Sequence, residues 1–87
     1  MVEISALMSV YNGEKYVATT IDTILNQTFQ DFELIIVNDG SNDKTQEILE
    51  SYKDPRIKLY NFSENKGVGA ALQFGLKKTQ GGVSILV

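Results

Sequence analysis

Apolar runs too short to be helices, separated by segments whose apolar residues recur at helical spacing, confine this chain to an alternating strand and helix architecture. The first run, Ile4 to Val10, ends in Tyr11-Asn12-Gly13, and the second, Leu34 to Val37, stops abruptly at Asn38-Asp39-Gly40-Ser41. These predict strands over about 3 to 10 and 33 to 38. Between them, Tyr16, Val17, Thr20, Ile21, Ile24 and Leu25 share one apolar face of a helix expected over about 14 to 27. The acidic turn 39 to 43 leads into a helix over about 44 to 53, with Ile48, Leu49 and Tyr52 inward. Asp54-Pro55 stops it, because the residue before proline disfavours helix.

The partial alternation of Arg56 to Phe62 predicts a third strand. Ser63 to Lys66 reads as a turn with Asn65 as N-cap, followed by a helix over about 67 to 79 that packs through Val68, Ala71, Leu72, Gly75 and Leu76. Gly81-Gly82 breaks that helix, and Val83 to Val87 begins a fourth strand. The order βαβαβαβ implies an α/β fold, a three-layer αβα sandwich around a mostly parallel sheet with right-handed crossovers. A compact three-helix domain with a terminal strand is the alternative. A parallel strand needs cover on both faces, and nothing follows the fourth strand to supply it. Residues 1–87 are therefore expected to be a single domain forming the front part of a longer protein.

Composition narrows the partners. At 43% hydrophobic and 22% charged, with one proline, the chain is globular, and 87 residues allow one modest core. A net charge of −3, with eight basic residues spread along the chain, leaves no electrostatic footprint for nucleic acid or an anionic membrane. No apolar run approaches the roughly 20 residues of a membrane span, and no secretory signal opens the chain, so a cytoplasmic location is expected, with the inner face of the membrane left open for the longer protein. Without cysteine there is no disulfide framework; without histidine, any acid–base chemistry falls to carboxylates.

Ligands of open α/β sheets bind beyond the carboxyl ends of the strands. An aromatic at one strand end, Tyr11, and an acid at the other, Asp39, suggest one ligand held between them. Each also has an ordinary structural explanation: a tyrosine capping the core, and a turn carboxylate bonding nearby backbone.

Several blocks taken together carry more than any one of them. Ile4 to Tyr16 (ISALMSVYNGEKY), Ile21 to Phe32 with ILNQTF at its centre, Phe32 to Thr45 (FELIIVNDGSNDKT), Asp54 to Ile57 (DPRI), and Asn65-Lys66-Gly67 with Gly75-Leu76 follow in order along nearly all of the chain. This series resembles the opening of family 2 glycosyltransferases, the large inverting group with the GT-A fold. The resemblance implies that Tyr11 lies against the nucleotide base and that Asp39 accepts a hydrogen bond from it, typically from the imide N–H of uracil. Ser9, Asn12, Gly40 and Lys66 complete the implied nucleotide-binding set. Ser9 would act through backbone or hydroxyl, Asn12 as a turn residue beside the site, and Lys66 in place of a basic residue that many relatives carry where this chain has Leu72.

Family members frequently have acids at both positions 38 and 39, whereas here the first is Asn38. The glycine string from Gly67 also resembles a dinucleotide fingerprint, but its third glycine is Leu72 and it follows the third strand. The implied activity is transfer of a sugar from a UDP-sugar to a glycan or lipid-linked acceptor with inversion, as in polysaccharide and cell-envelope biosynthesis. The family's acidic pair, which holds Mg²⁺ or Mn²⁺ against the diphosphate, and its general base are expected beyond Val87. This segment alone would then bind nucleotide without catalysis. A non-catalytic nucleotide-binding module is the rival reading, and exposed sheet edges leave self-association open. A receiver-type signalling domain is disfavoured, because the third predicted strand ends in Asn61-Phe62-Ser63 instead of an aspartate.

Overall fold

The computed structural model describes residues 3–28 and 30–86. Its elements run β1 (Ile4–Val10), α1 (Val17–Leu25), β2 (Phe32–Asn38), α2 (Thr45–Glu50), β3 (Ile57–Asn61), α3 (Val68–Leu76) and β4 (Gly82–Leu86). Val87, the expected last residue of the fourth strand, lies outside the described residues. The strands form one sheet in the order β3-β2-β1-β4, with every neighbouring pair parallel.

Register sets the layers. Residues paired across a parallel ladder share a face, and successive residues alternate between faces. Ala6, Met8 and Val10 of β1 and Leu34 and Ile36 of β2 pack with Val17, Ile21 and Leu49 of α1 and α2. Leu7, Ile35 and Val37 face the opposite side and pack with Ala71 of α3. Burial on both faces is why β2 reads as an unbroken apolar run: all seven of its residues are buried. Each fully buried Leu or Ile contributes about 1.5–3 kcal/mol, so Leu34, Ile35 and Ile36 make β2 the centre of the fold's stability.

The helices differ from expectation in facing and length. In α3, Ala71 and Gly75 are buried while Val68 and Leu76 are 58% and 44% exposed, so these two are not part of the packing face. The cause is Gly75: a Cβ there would lie 2.2 Å from Leu7 Cδ1, so the helix backbone rests directly on β1. That seating turns Phe74 toward β3, where its ring meets Tyr60 and Phe62 edge-on at 5.3 and 5.2 Å. Tyr16, expected on the inner face of α1, is 50% exposed because residues 13–16 form a turn and the helix starts only at Val17. Helix α2 ends at Glu50, yet Tyr52 still ties it to α1 by donating to Ala18 O (3.1 Å) and Asp22 Oδ1 (2.8 Å). Burial, then the Asp22 carboxylate, pushes the Tyr52 hydroxyl up to about 12, which keeps it a donor.

At the amino ends of the strands, Glu33 is 2% exposed within the apolar run and accepts from Ser5 Oγ (2.6 Å) and the Gln80 N–H (2.8 Å). Ser5 Oγ in turn accepts from the Gly81 N–H at 2.9 Å. This buried cluster pins the α3–β4 connection to the sheet, at the end opposite the candidate site.

Before β3, Arg56 grips Asp54 through Nη2 at 2.7 Å and Nε at 3.0 Å, with its guanidinium 4.8 Å over the Phe32 ring. Those side-chain hydrogen bonds, followed by the Arg56 backbone N–H, hold the Asp54 carboxyl at about 2, against an ordinary 3.8. A folded-state value below the unfolded one stabilises above the unfolded value and is lost as pH falls through the folded one. Stability is therefore expected to decline between pH 3.8 and about 2, and Asp54→Asn should flatten that part of a pH series of urea midpoints. An unchanged slope in the variant would remove this pair as its source.

Candidate functional site

The site forms where β1 and β2 end side by side. The ladder extends one bond past the strands, the Asp39 N–H donating to Val10 O at 2.8 Å, so Tyr11 and Asp39 leave adjacent strands together. Tyr11 is 48% exposed just past the end of β1. Ser9 pairs with Val37 on the α3 side of β1 and is partly exposed at the strand end.

Asp39 is 3% exposed, and its carboxylate is held by the segment that starts α3. Oδ1 accepts from the Lys66 N–H at 2.7 Å; Oδ2 accepts from the Gly67 N–H at 3.0 Å and from Asn65 Nδ2 at 3.1 Å. Asn65 Nδ2 also lies 3.2 Å from Asp39 O. Asn65 is thus not the helix N-cap: Gly67 holds that position at φ 96°, without a side-chain cap. The free N–H groups before α3 are satisfied across the chain by Asp39 instead, a long-range version of ordinary capping.

Gly40 makes the arrangement possible. It sits at φ 69°, and a Cβ there would lie 2.2 Å from Glu64 C and 2.3 Å from Asn65 N, so backbone passes directly against it. Lys66 contributes its N–H to Asp39, while its ammonium lies 5.0 Å over the Phe62 ring, beside an open groove lined by Tyr60, Phe62, Ala70 and Phe74.

Asn12 adopts a left-handed conformation, φ 52°, and joins the two loops of the site. Its N–H donates to Ser41 Oγ and its Oδ1 accepts from the Asn42 N–H, both at 2.9 Å. Beside it the Gly13 N–H donates to Thr45 Oγ1 at 2.8 Å, the Glu14 N–H to Asp43 Oδ2 and the Lys44 N–H to Glu14 Oε1, each of the last two at 3.3 Å. Desolvation pushes the Asp43 carboxyl up, but the bonds from Thr45 and Glu14 together outweigh it and hold it below 3.8. Asp43 is therefore a loop fastener ahead of α2. Asn38, where relatives often carry an acid, is 1% exposed and donates through Nδ2 to Asn61 Oδ1 at 2.9 Å.

The structure thus brings Ser9, Tyr11, Asn12, Asp39 and Gly40 to one end of the sheet, with Lys66 joining through its backbone. Sequence reasoning missed the link from Asn65 to Asp39 and the clasp between the loops. The signal for both was the polar run 38–45, whose partners lie about 30 residues away along the chain. Among the described residues no cluster of three or more acids, histidines or cysteines is placed to hold a metal ion. The Asp39 carboxylate already accepts three hydrogen bonds from N–H donors, which leaves it poorly suited to hold a divalent cation. No helix among the described residues is long and apolar enough to cross a membrane.

Known proteins resemble this chain along nearly its whole length. The family model described as "Glycosyl transferase family 2" matches residues 5–87. An uncharacterised glycosyltransferase of Rickettsia typhi is 45% identical over 78 residues, which is 90% of this chain and 24% of that protein. The chain therefore spans about a quarter of that relative's length. The crystal structure of residues 1–349 of S. aureus TarS in complex with UDP superposes with a TM-score of 0.90 at 29% identity, covering 98% of this chain and 27% of that one. The mannosyltransferase PcManGT of Pyrobaculum calidifontis, in complex with GDP-Man and Mn²⁺, shares the fold with a TM-score of 0.81 at 21% identity, over 90% of this chain and 24% of that one. With its parallel αβα architecture and a family match over nearly its whole length, this chain belongs to glycosyl transferase family 2.

Proposed function

We propose that this chain is the nucleotide-reading part of a glycosyltransferase that moves a sugar from a UDP-sugar to a glycan or lipid-linked acceptor, with inversion at the anomeric carbon. The observation that carries the reading is the pair at adjacent strand ends: an exposed aromatic ring, Tyr11, beside a carboxylate, Asp39, fixed by three donors. A flat ring suits a pyrimidine face, and a charged acceptor suits an imide N–H. Ser9 and Asn12 border the base, Gly40 admits the segment that fixes Asp39, and the Lys66 ammonium swings from Phe62 toward the diphosphate. The Mg²⁺ or Mn²⁺ acids and the general base come from sequence beyond Val87. Exposed apolar side chains on one face of β4, Val83 and Ile85, support a further layer of polypeptide over that strand. The UDP bound to TarS supports the choice of donor.

The test is an amide-shift titration with UDP, GDP, CDP and dTDP, with and without Mn²⁺. Metal-independent shifts with UDP, clustered at Tyr11 and Asp39, are expected. Shifts that ignore the base, or that fall elsewhere on the sheet, would overturn the reading.

A further inference from the structure

We infer that Asn65 is a positioning residue that sets base specificity by limiting Asp39 to a single donor, so that the site accepts a uracil imide and refuses the second donor of guanine. The inference rests on the reading of Asp39 as the base-facing carboxylate.

A carboxylate offers about four acceptor positions. Three are filled within the chain: one on Oδ1 by the Lys66 N–H, and two on Oδ2 by the Gly67 N–H and Asn65 Nδ2. What is left is one position, on Oδ1. Uracil places one donor, N3–H, between two carbonyl oxygens, which one acceptor satisfies. Guanine places N1–H and the exocyclic amino group side by side, and its natural partner is a carboxylate with both oxygens open.

Here the second donor of guanine meets an oxygen already accepting two hydrogen bonds. It would leave water without finding a partner, which costs more than never having had the group. Cytosine has an acceptor at N3 and meets the carboxylate's negative charge instead. Of the three donors, only Asn65 gives its bond through a side chain. The two N–H groups belong to the backbone of the turn before α3 and are the same whatever the side chains, so specificity at Oδ2 depends on residue 65.

The experiment compares UDP, N3-methyl-UDP, GDP and IDP, the inosine analogue of GDP that lacks the exocyclic amino group, by calorimetric titration of the native protein and of Asn65→Ala. In the native protein, N3-methylation should weaken UDP about tenfold or more, the worth of a hydrogen bond to a charged group. GDP should bind no better than IDP. In Asn65→Ala, Oδ2 regains an acceptor position, and GDP should exceed IDP by about tenfold while IDP itself changes little. A generally loosened loop would weaken all four ligands together and leave the GDP to IDP ratio at one.

If N3-methylation leaves UDP affinity unchanged, Asp39 does not read the imide, and the underlying assignment falls. If methylation costs affinity but the native protein already prefers GDP to IDP tenfold, or Asn65→Ala keeps their ratio at one, only the inference about Asn65 falls. Because the native protein answers both questions, misfolding of the variant leaves the inference open to refutation; Asn65→Ser, with a shorter side chain, repeats the comparison.

Discussion

An Asp39→Ala protein is expected to bind UDP about 1.5–3 kcal/mol more weakly than the native chain, the range for a hydrogen bond to a charged group. The same substitution reaches further than the ligand. It strips the acceptor from the Lys66 and Gly67 N–H groups and leaves Asn65 Nδ2 only its longer approach to Asp39 O. Donors that lose their acceptor in a nearly buried setting cost about 1–3 kcal/mol, so a lower urea midpoint should accompany the weaker binding.

The two effects separate by measurement: calorimetry on the folded variant gives the first, and chemical unfolding without ligand the second. A folded Asp39→Ala protein with native UDP affinity would remove this carboxylate from the base site. A native urea midpoint would mean that the turn before α3 is held by something other than Asp39.

The second large effect is expected at Gly40. Alanine at φ 69° costs about 1–2 kcal/mol for the left-handed conformation alone. Its Cβ would also lie 2.2 Å from the Glu64 carbonyl carbon and 2.3 Å from Asn65 N. Neither atom can swing aside as a side chain would, so the 64–65 backbone must move. Movement there carries Asn65 and Lys66 away from the Asp39 carboxylate, which couples a steric fault to the candidate site. Gly40→Ala should therefore lose about 2–4 kcal/mol of stability and shift the Lys66 and Gly67 amide resonances. A loss below about 0.5 kcal/mol, the scale of an ordinary surface substitution, would mean that the close approach is relieved at no cost.

The elements legible from sequence are those whose signal is local. Strand β2 is an apolar run because both its faces are buried, and burial on two faces needs no knowledge of what does the burying. The turns at Tyr11-Asn12-Gly13 and Asp39-Gly40-Ser41 are likewise written in residues that interrupt such runs. The facing of α3 was legible only in part: Ala71, Leu72 and Gly75 pack inward as their spacing suggests, whereas Val68 and Leu76 do not. Val68, Leu72 and Leu76 have helical spacing and apolar side chains, but close seating of Gly75 on Leu7 turned Phe74 inward and left the first and last of these exposed. Periodicity weighs side chains by hydrophobicity, whereas a glycine contact rewards the absence of one.

The same division runs through the site. Tyr11 and Asp39 stand out because each ends an apolar run, and their meeting at one end of the sheet follows from parallel strands. Asn65 looked like an N-cap, since Asn before a helix usually bonds the nearest free N–H groups. In the folded chain that role passed to Asp39, 26 to 28 residues away, and freed Asn65 to bond the carboxylate itself.

By itself, the amino-acid sequence determined the strand and helix order, the parallel sheet, the two strand-end residues and the family, because each depends on residues near one another or on blocks in a set order. Tertiary structure alone decided which oxygens of Asp39 are occupied, how Gly40 admits the 64–65 backbone, and how Asn12, Glu14 and Asp43 fasten the two loops. Those outcomes depend on ångström-scale approaches between segments distant in the chain, and hydrogen bonds over such gaps are chosen by packing, which no local pattern encodes.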